Sequence, residues 1–153
     1  MRTLHVGLRV ADLERSLAFY TGLGYEVLGQ VPESEFGSLT MLKLPGDEFV
    51  TVELVHDPGS GAVGPGGLNH VVIQVESMQA TVARLAVRGI EVETPGSPDG
   101  SENFWTAWIT DPDGYRIELV QWPAGHPDGM TAADFGDQPG RGDPSGDETT
   151  RGR

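Results

Sequence analysis

The sequence contains no cysteine, which excludes disulfides and thiolate metal ligands. It is also short of basic residues, with 10 Lys and Arg against 23 Asp and Glu and a formal net charge of −13. Those before the C-terminal tail, Arg2, Arg9, Arg15, Lys43, Arg84, Arg88 and Arg116, are scattered. No basic stripe is available to neutralise phosphates, so nucleic-acid binding is not expected. No apolar run approaches the roughly 18 residues that a membrane span needs. No basic n-region leads into an apolar stretch, so no signal peptide is expected. These absences point to a cytoplasmic protein without nucleic-acid or membrane partners, whose acidity serves solubility.

What is present is a repeat. The segment His5-Val6-Gly7-Leu8-Arg9-Val10 lies over His70-Val71-Val72-Ile73-Gln74-Val75. Gly24-Tyr25-Glu26-Val27 lies over Gly89-Ile90-Glu91-Val92, and Glu53-Leu54-Val55 over Glu118-Leu119-Val120, all at one offset of 65 residues. The His-to-Glu separation is 48 residues in both copies. The 153-residue chain is therefore read as one domain over residues 1–123, built from two modules, 1–62 and 67–123. A Gly/Pro-rich joint from Pro58 to Gly67 separates the modules.

Each module predicts the order β-α-β-β-β, an α+β fold of two paired βαβββ units with mixed sheets. In the first, residues 3–10 alternate as a strand, and Asp12 caps a helix carrying Leu13, Leu17 and Tyr20 on one face. In the second, Ser77 caps a helix with Met78, Val82 and Leu85. Gly24 and Gly89 stand where these helices end. Strands are expected at about 25–31, 38–44 and 49–56, then at about 90–94, 103–110 and 115–121, with a turn at Asp111-Pro112-Asp113-Gly114. Residues 124–153, rich in Gly, Pro, Asp, Thr and Arg, read as a tail that is disordered beyond about residue 137. Within it, Met130 to Phe135 can dock as one short turn.

Strand alternation assigns faces. Leu4, Val6, Leu8 and Val10 should pack on the helix, leaving His5 and Arg9 on the opposite, concave face. Glu53 lies opposite Val50, Val52 and Leu54; His70 and Gln74 lie opposite Val71, Ile73 and Val75; Glu118 lies opposite Ile117 and Leu119. Unpaired, desolvated carboxylates in mid-strand cost several kcal/mol each, roughly, and a divalent cation removes that cost. His5, Glu53, His70 and Glu118 are therefore the candidate ligands of one ion. Two imidazoles and two carboxylates suit Ni²⁺ or Zn²⁺, with Mn²⁺, Fe²⁺ and Co²⁺ also compatible, and disfavour Ca²⁺ and Mg²⁺. His56 and His126 have no repeat partner and are read as surface residues.

With these residues in place the chain resembles the vicinal oxygen chelate superfamily and, within it, the glyoxalase I (lactoylglutathione lyase) family. The likeness rests on Leu4 to Val10 with Asp12 to Thr21, on Val52-Glu53-Leu54, on Asn69-His70-Val71 and on Asp111 to Val120. It covers about residues 1–122. A glutamate at position 53 favours glyoxalase I over related epimerases, which carry Gln there.

The resemblance implies a metal-dependent lyase. It would isomerise the hemithioacetal of methylglyoxal and a thiol to a thioester through a cis-enediolate, with Glu118 as the base and Glu53 as a second candidate. It implies a homodimer in which His5 and Glu53 of one chain meet His70 and Glu118 of the other. It also implies that Arg9 holds a carboxylate of glutathione. Two departures bear on the thiol. Asp57 stands where the family has Asn, and Ser97 to Glu102 contains no basic residue where the family has several. Phe104, Trp105 and Trp108 are candidate pocket walls. Two alternatives stay open: another metal enzyme of the superfamily, of epimerase or dioxygenase type, or a metal-free protein that sequesters a small molecule such as an antibiotic.

Overall fold

The computed structural model describes residues 3–126 and 129–130. The first half runs β1 (Val6–Val10), α1 (Leu13–Leu23), β2 (Glu26–Ser34), β3 (Gly37–Lys43) and β4 (Val52–His56). The second half runs β5 (Val71–Gln74), α2 (Met78–Val87), β6 (Trp105–Thr110) and β7 (Arg116–Gln121). Two mixed sheets result, ordered β1-β4-β3-β2 and β5-β7-β6. In each, the strand before the helix pairs in parallel with the last strand, placing Gly7 beside Glu53 and Val72 beside Glu118. This is the expected α+β architecture.

Local chemistry explains the helices. The Asp12 carboxylate accepts the Arg15 amide at 2.9 Å, and Ser77 Oγ accepts the Ala80 amide at 3.3 Å, each meeting one orphan donor of a helix start. Gly24, at φ 123°, ends α1 by donating its amide back to Tyr20 and Thr21.

The core lies between helices and sheets. Leu8, Val10, Leu42, Val52 and Leu54 of the first sheet and Ala107, Ile109, Ile117 and Leu119 of the second are buried, with Tyr20, Leu23, Met78 and Leu85 packed over them. Burial pushes the Tyr25 phenol up to about 12, helped by the nearby Asp47 carboxylate.

Two expectations are corrected. The segment 90–94 forms no strand. Its backbone touches β6 only at intervals, through Glu93 N to Trp108 O and the Gly96–Thr106 bridge, while Pro95 has no N–H to offer a ladder. The second sheet therefore has three strands. The apolar face of β1 is also not uniformly covered: Leu8 and Val10 are buried, but Leu4, just before the strand, is 57% and Val6 42% exposed. His56 is half-buried at the end of β4, and its carbonyl accepts from Ser38 Oγ. Of the segment from Met130 to Phe135, Met130 is exposed and the remainder, like the rest of the tail from 131, lies outside the described residues.

Candidate functional site

Each sheet presents one His–Glu pair on the face away from its helix. His5 stands just before β1, whose start is fixed by Val6 N donating to Thr51 O. Its Nε2 lies 3.6 Å from Glu53 Oε2, with side chains 37% and 15% exposed. In the second sheet His70 Nε2 lies 3.5 Å from Glu118 Oε2, at 33% and 21%. Both separations exceed an ordinary N–H···O hydrogen bond, so the imidazole nitrogen and the carboxylate oxygen of each pair sit side by side without bonding directly to one another. The flanking residues 52, 54, 117 and 119 are buried, and this pins the two glutamates to the open faces.

The second pair is the better braced. His70 Nδ1 donates to Asn69 Oδ1 at 2.6 Å, which leaves Nε2 unprotonated in the neutral ring. Trp108, the cross-strand partner of Glu118, meets the imidazole edge-on at 5.1 Å. Arg116 lies over the Trp108 ring at 4.9 Å and pairs with Glu93 at 2.7 Å.

Within one chain the four predicted ligands do not gather: among the described residues, no three His, Asp or Glu come close enough to hold an ion together. The chain carries two half-centres. An imidazole nitrogen beside a carboxylate oxygen suits a borderline divalent cation, but two protein donors fall short of the usual three or four. The donor set fits a metal once the two pairs share it.

The other predicted residues divide. Arg9 projects from the His5 face of β1, and its guanidinium is 4.0 Å from Asp57. Trp108 joins the His70 pair. Trp105 does not, because it shares parity with the buried Ala107 and Ile109, packs against the core and donates its indole N–H to Glu102 O at 2.9 Å. Phe104 stacks on Trp122, which stacks in turn on His126.

A buried polar cluster went unread in the sequence. Asp111 and Asp113 are buried, at 4% and 8% residue exposure. Asp111 accepts from Tyr20 Oη at 2.9 Å and from the amides of Asp113 and Tyr115. Asp113 accepts from Ser16 Oγ at 3.2 Å, Arg15 at 3.4 Å and the Ala11 amide at 3.2 Å. Burial raises the Asp111 carboxyl above its ordinary value against these hydrogen bonds, and burial beside that carboxylate raises the Tyr20 phenol steeply. The available signal was Ser16, a polar residue on the Leu13–Tyr20 stripe that needs a buried partner.

Comparison with known proteins agrees with this architecture. The profile of the Glyoxalase/Bleomycin resistance protein/Dioxygenase superfamily matches residues 2–119, and the chain belongs to that superfamily. It is 33% identical over 125 residues to a lactoylglutathione lyase of Salmonella typhimurium, covering 79% of this chain and 93% of that one. It is 34% identical over 130 residues to a probable lactoylglutathione lyase of Vibrio cholerae, covering 82% and 94%. Among solved structures it is similar to the trypanothione-dependent glyoxalase I of Leishmania major, with a TM-score of 0.64, 31% identity and coverage of 79% and 86%.

Proposed function

We propose that the protein is a metal-dependent lyase of the glyoxalase I kind, isomerising the hemithioacetal of methylglyoxal and a thiol to a thioester. The carrying observation is the matched pair of half-centres, His5–Glu53 at 3.6 Å and His70–Glu118 at 3.5 Å, on the open faces of two equivalent sheets. Relatives named lactoylglutathione lyase support the same reading.

The two half-centres meet across a homodimer. Their separation within one chain supports this, as does the apolar surface left uncovered: Leu4, Val6 and Val72 near the pairs, and Val27, Leu28 and Val31 on the wholly exposed β2. His5, Glu53, His70 and Glu118 then hold a divalent ion, nickel or zinc being the best fit to the donors. When bound, the ion supplies Lewis acidity that lowers the cost of removing a proton next to a carbonyl.

The chain's own residues do the rest. Glu118 takes the proton from C1 of the hemithioacetal and returns it at C2, with Glu53 as the second candidate for this work. Trp108 and Arg116 wall the Glu118 side. The test is thioester formation from methylglyoxal with a panel of thiols, after loading the purified protein with nickel, zinc or cobalt. Turnover with at least one thiol, lost on chelation, is expected; no turnover with any metal and thiol would remove the lyase reading.

A further inference from the structure

We infer that Asp57 makes this site select a thiol whose distal end is uncharged and hydrogen-bonding, hydroxyl or amide in character, and reject one that ends in carboxylates. This rests on the lyase reading above and specifies its substrate class.

The argument starts from position. β1 and β4 run in parallel with Gly7 beside Glu53 and Arg9 beside Val55. At about 3.3 Å per residue, Arg9 and Asp57 lie roughly 7–13 Å beyond the Glu53 row on the same open face, within reach of the far end of a thiol whose reacting carbons sit at the His–Glu pair. The strands of the first sheet carry two cations, Arg9 and Lys43. Lys43 stands at the opposite end, where its ammonium donates to Asp47 O at 2.8 Å. Arg9 is thus the cation that an anionic substrate tail would meet there, and Asp57 already faces it at 4.0 Å.

Asp57 cannot readily swing away. Its Oδ1 accepts the Gly59 amide at 3.0 Å, and its carbonyl accepts the Ser60 amide at 3.0 Å and the Ser60 hydroxyl at 2.8 Å. Gly37 packs so closely on this backbone that a Cβ there would lie 3.1 Å from Asp57 Cα. Arg9 is held from the other side, its carbonyl accepting the Tyr115 hydroxyl at 3.1 Å. Both groups are half-exposed, so the pair adds little to stability, but each is available to a ligand. An incoming carboxylate that pairs with Arg9 must sit beside Asp57, like charge against like charge. A hydroxyl or amide instead accepts from the guanidinium and donates to the carboxylate at once. The segment from Ser97 to Glu102 gives an anion no compensation, since its charged residues are the acids Asp99 and Glu102, with Asp99 held ionised below its usual range by the Ser101 amide and hydroxyl, and Arg116 on the second sheet is already paired with Glu93 at 2.7 Å.

The test compares nickel-loaded wild type with Asp57→Asn, which keeps an acceptor for the Gly59 amide. Two readouts are taken: kcat/KM for the methylglyoxal hemithioacetals of pantetheine and of glutathione, and calorimetric Kd for the S-methyl derivatives of the same thiols. Wild type should favour the neutral compound in both, and Asp57→Asn should move each ratio toward glutathione by roughly tenfold. A wild-type preference for glutathione, or ratios unchanged in Asp57→Asn, overturns the inference. If neither hemithioacetal is turned over, the lyase reading falls, and the Kd ratios still decide the charge preference.

Discussion

The Tyr20 hydroxyl donates to the Asp111 carboxylate at 2.9 Å across 91 residues of sequence, joining the helix of the first half to the β6–β7 turn of the second. Together with Ser16, Arg15 and the Ala11 amide on Asp113, and Tyr115 on the Arg9 carbonyl, it holds the two halves in one relative orientation. Asp111→Ala leaves the Tyr20 hydroxyl and two amides without their acceptor. Urea unfolding should show a loss of about 3 kcal/mol.

Protonation of the same carboxyl gives a pH signature. Burial raises Asp111 above its unfolded value, so the folded state holds that proton more tightly than the unfolded chain. Its contribution to stability is present at low pH and is lost as pH rises from the unfolded value, about 3.9, through the raised one. Asp111→Asn keeps the acceptor and removes the titration. The stability of Asp111→Asn relative to wild type should therefore increase between pH 4 and pH 7, and a difference flat with pH would contradict the assignment.

Gly37 is a second structural prediction. It adopts φ 109°, and a Cβ there would lie 2.4 Å from the His56 carbonyl oxygen. Gly37→Ala cannot be absorbed by a side-chain rotation, because the obstacle is backbone. It should destabilise the protein by about 2–4 kcal/mol and broaden the amide resonances of β3 and β4.

At the half-centre of the second sheet, Asn69 orients the His70 ring through a 2.6 Å hydrogen bond. Asn69→Ala should weaken nickel binding by roughly tenfold or more in calorimetry while leaving the unfolding transition almost unchanged. Unchanged affinity would separate His70 from the metal.

Glu118→Gln removes the proposed base while Ile117 and Leu119 stay packed. The variant should keep the wild-type circular dichroism spectrum and lose turnover by at least about a thousandfold. Near-full activity would exclude Glu118 as the base.

Much of the architecture was legible because it is periodic. Capping by Asp12 and Ser77, burial of Leu54, Ile117 and Leu119, and the placing of Glu53 and Glu118 on the opposite, half-buried face all follow from alternation and helix spacing. The 65-residue offset paired each His with its Glu. What was illegible is tertiary. Segment 90–94 has strand composition, but Pro95 and sparse pairing keep it irregular. Alternation along β6 also separates Trp105, on the core side with Ala107 and Ile109, from Trp108 on the Glu118 face, but the edge-on contact of Trp108 with His70 is set by strand pairing. Asp111-Pro112-Asp113-Gly114 reads as a turn, and nothing local announces that its carboxylates are buried against a distant helix.

The most direct test of the central claim is the nickel content, after equilibrium dialysis, of wild type, of His5→Ala/Glu53→Ala and of His70→Ala/Glu118→Ala. A shared four-ligand centre predicts one ion per chain in wild type and loss of nearly all of it in each double variant, since neither pair suffices alone. Full nickel retention after removal of either pair, or no nickel in wild type, would contradict it.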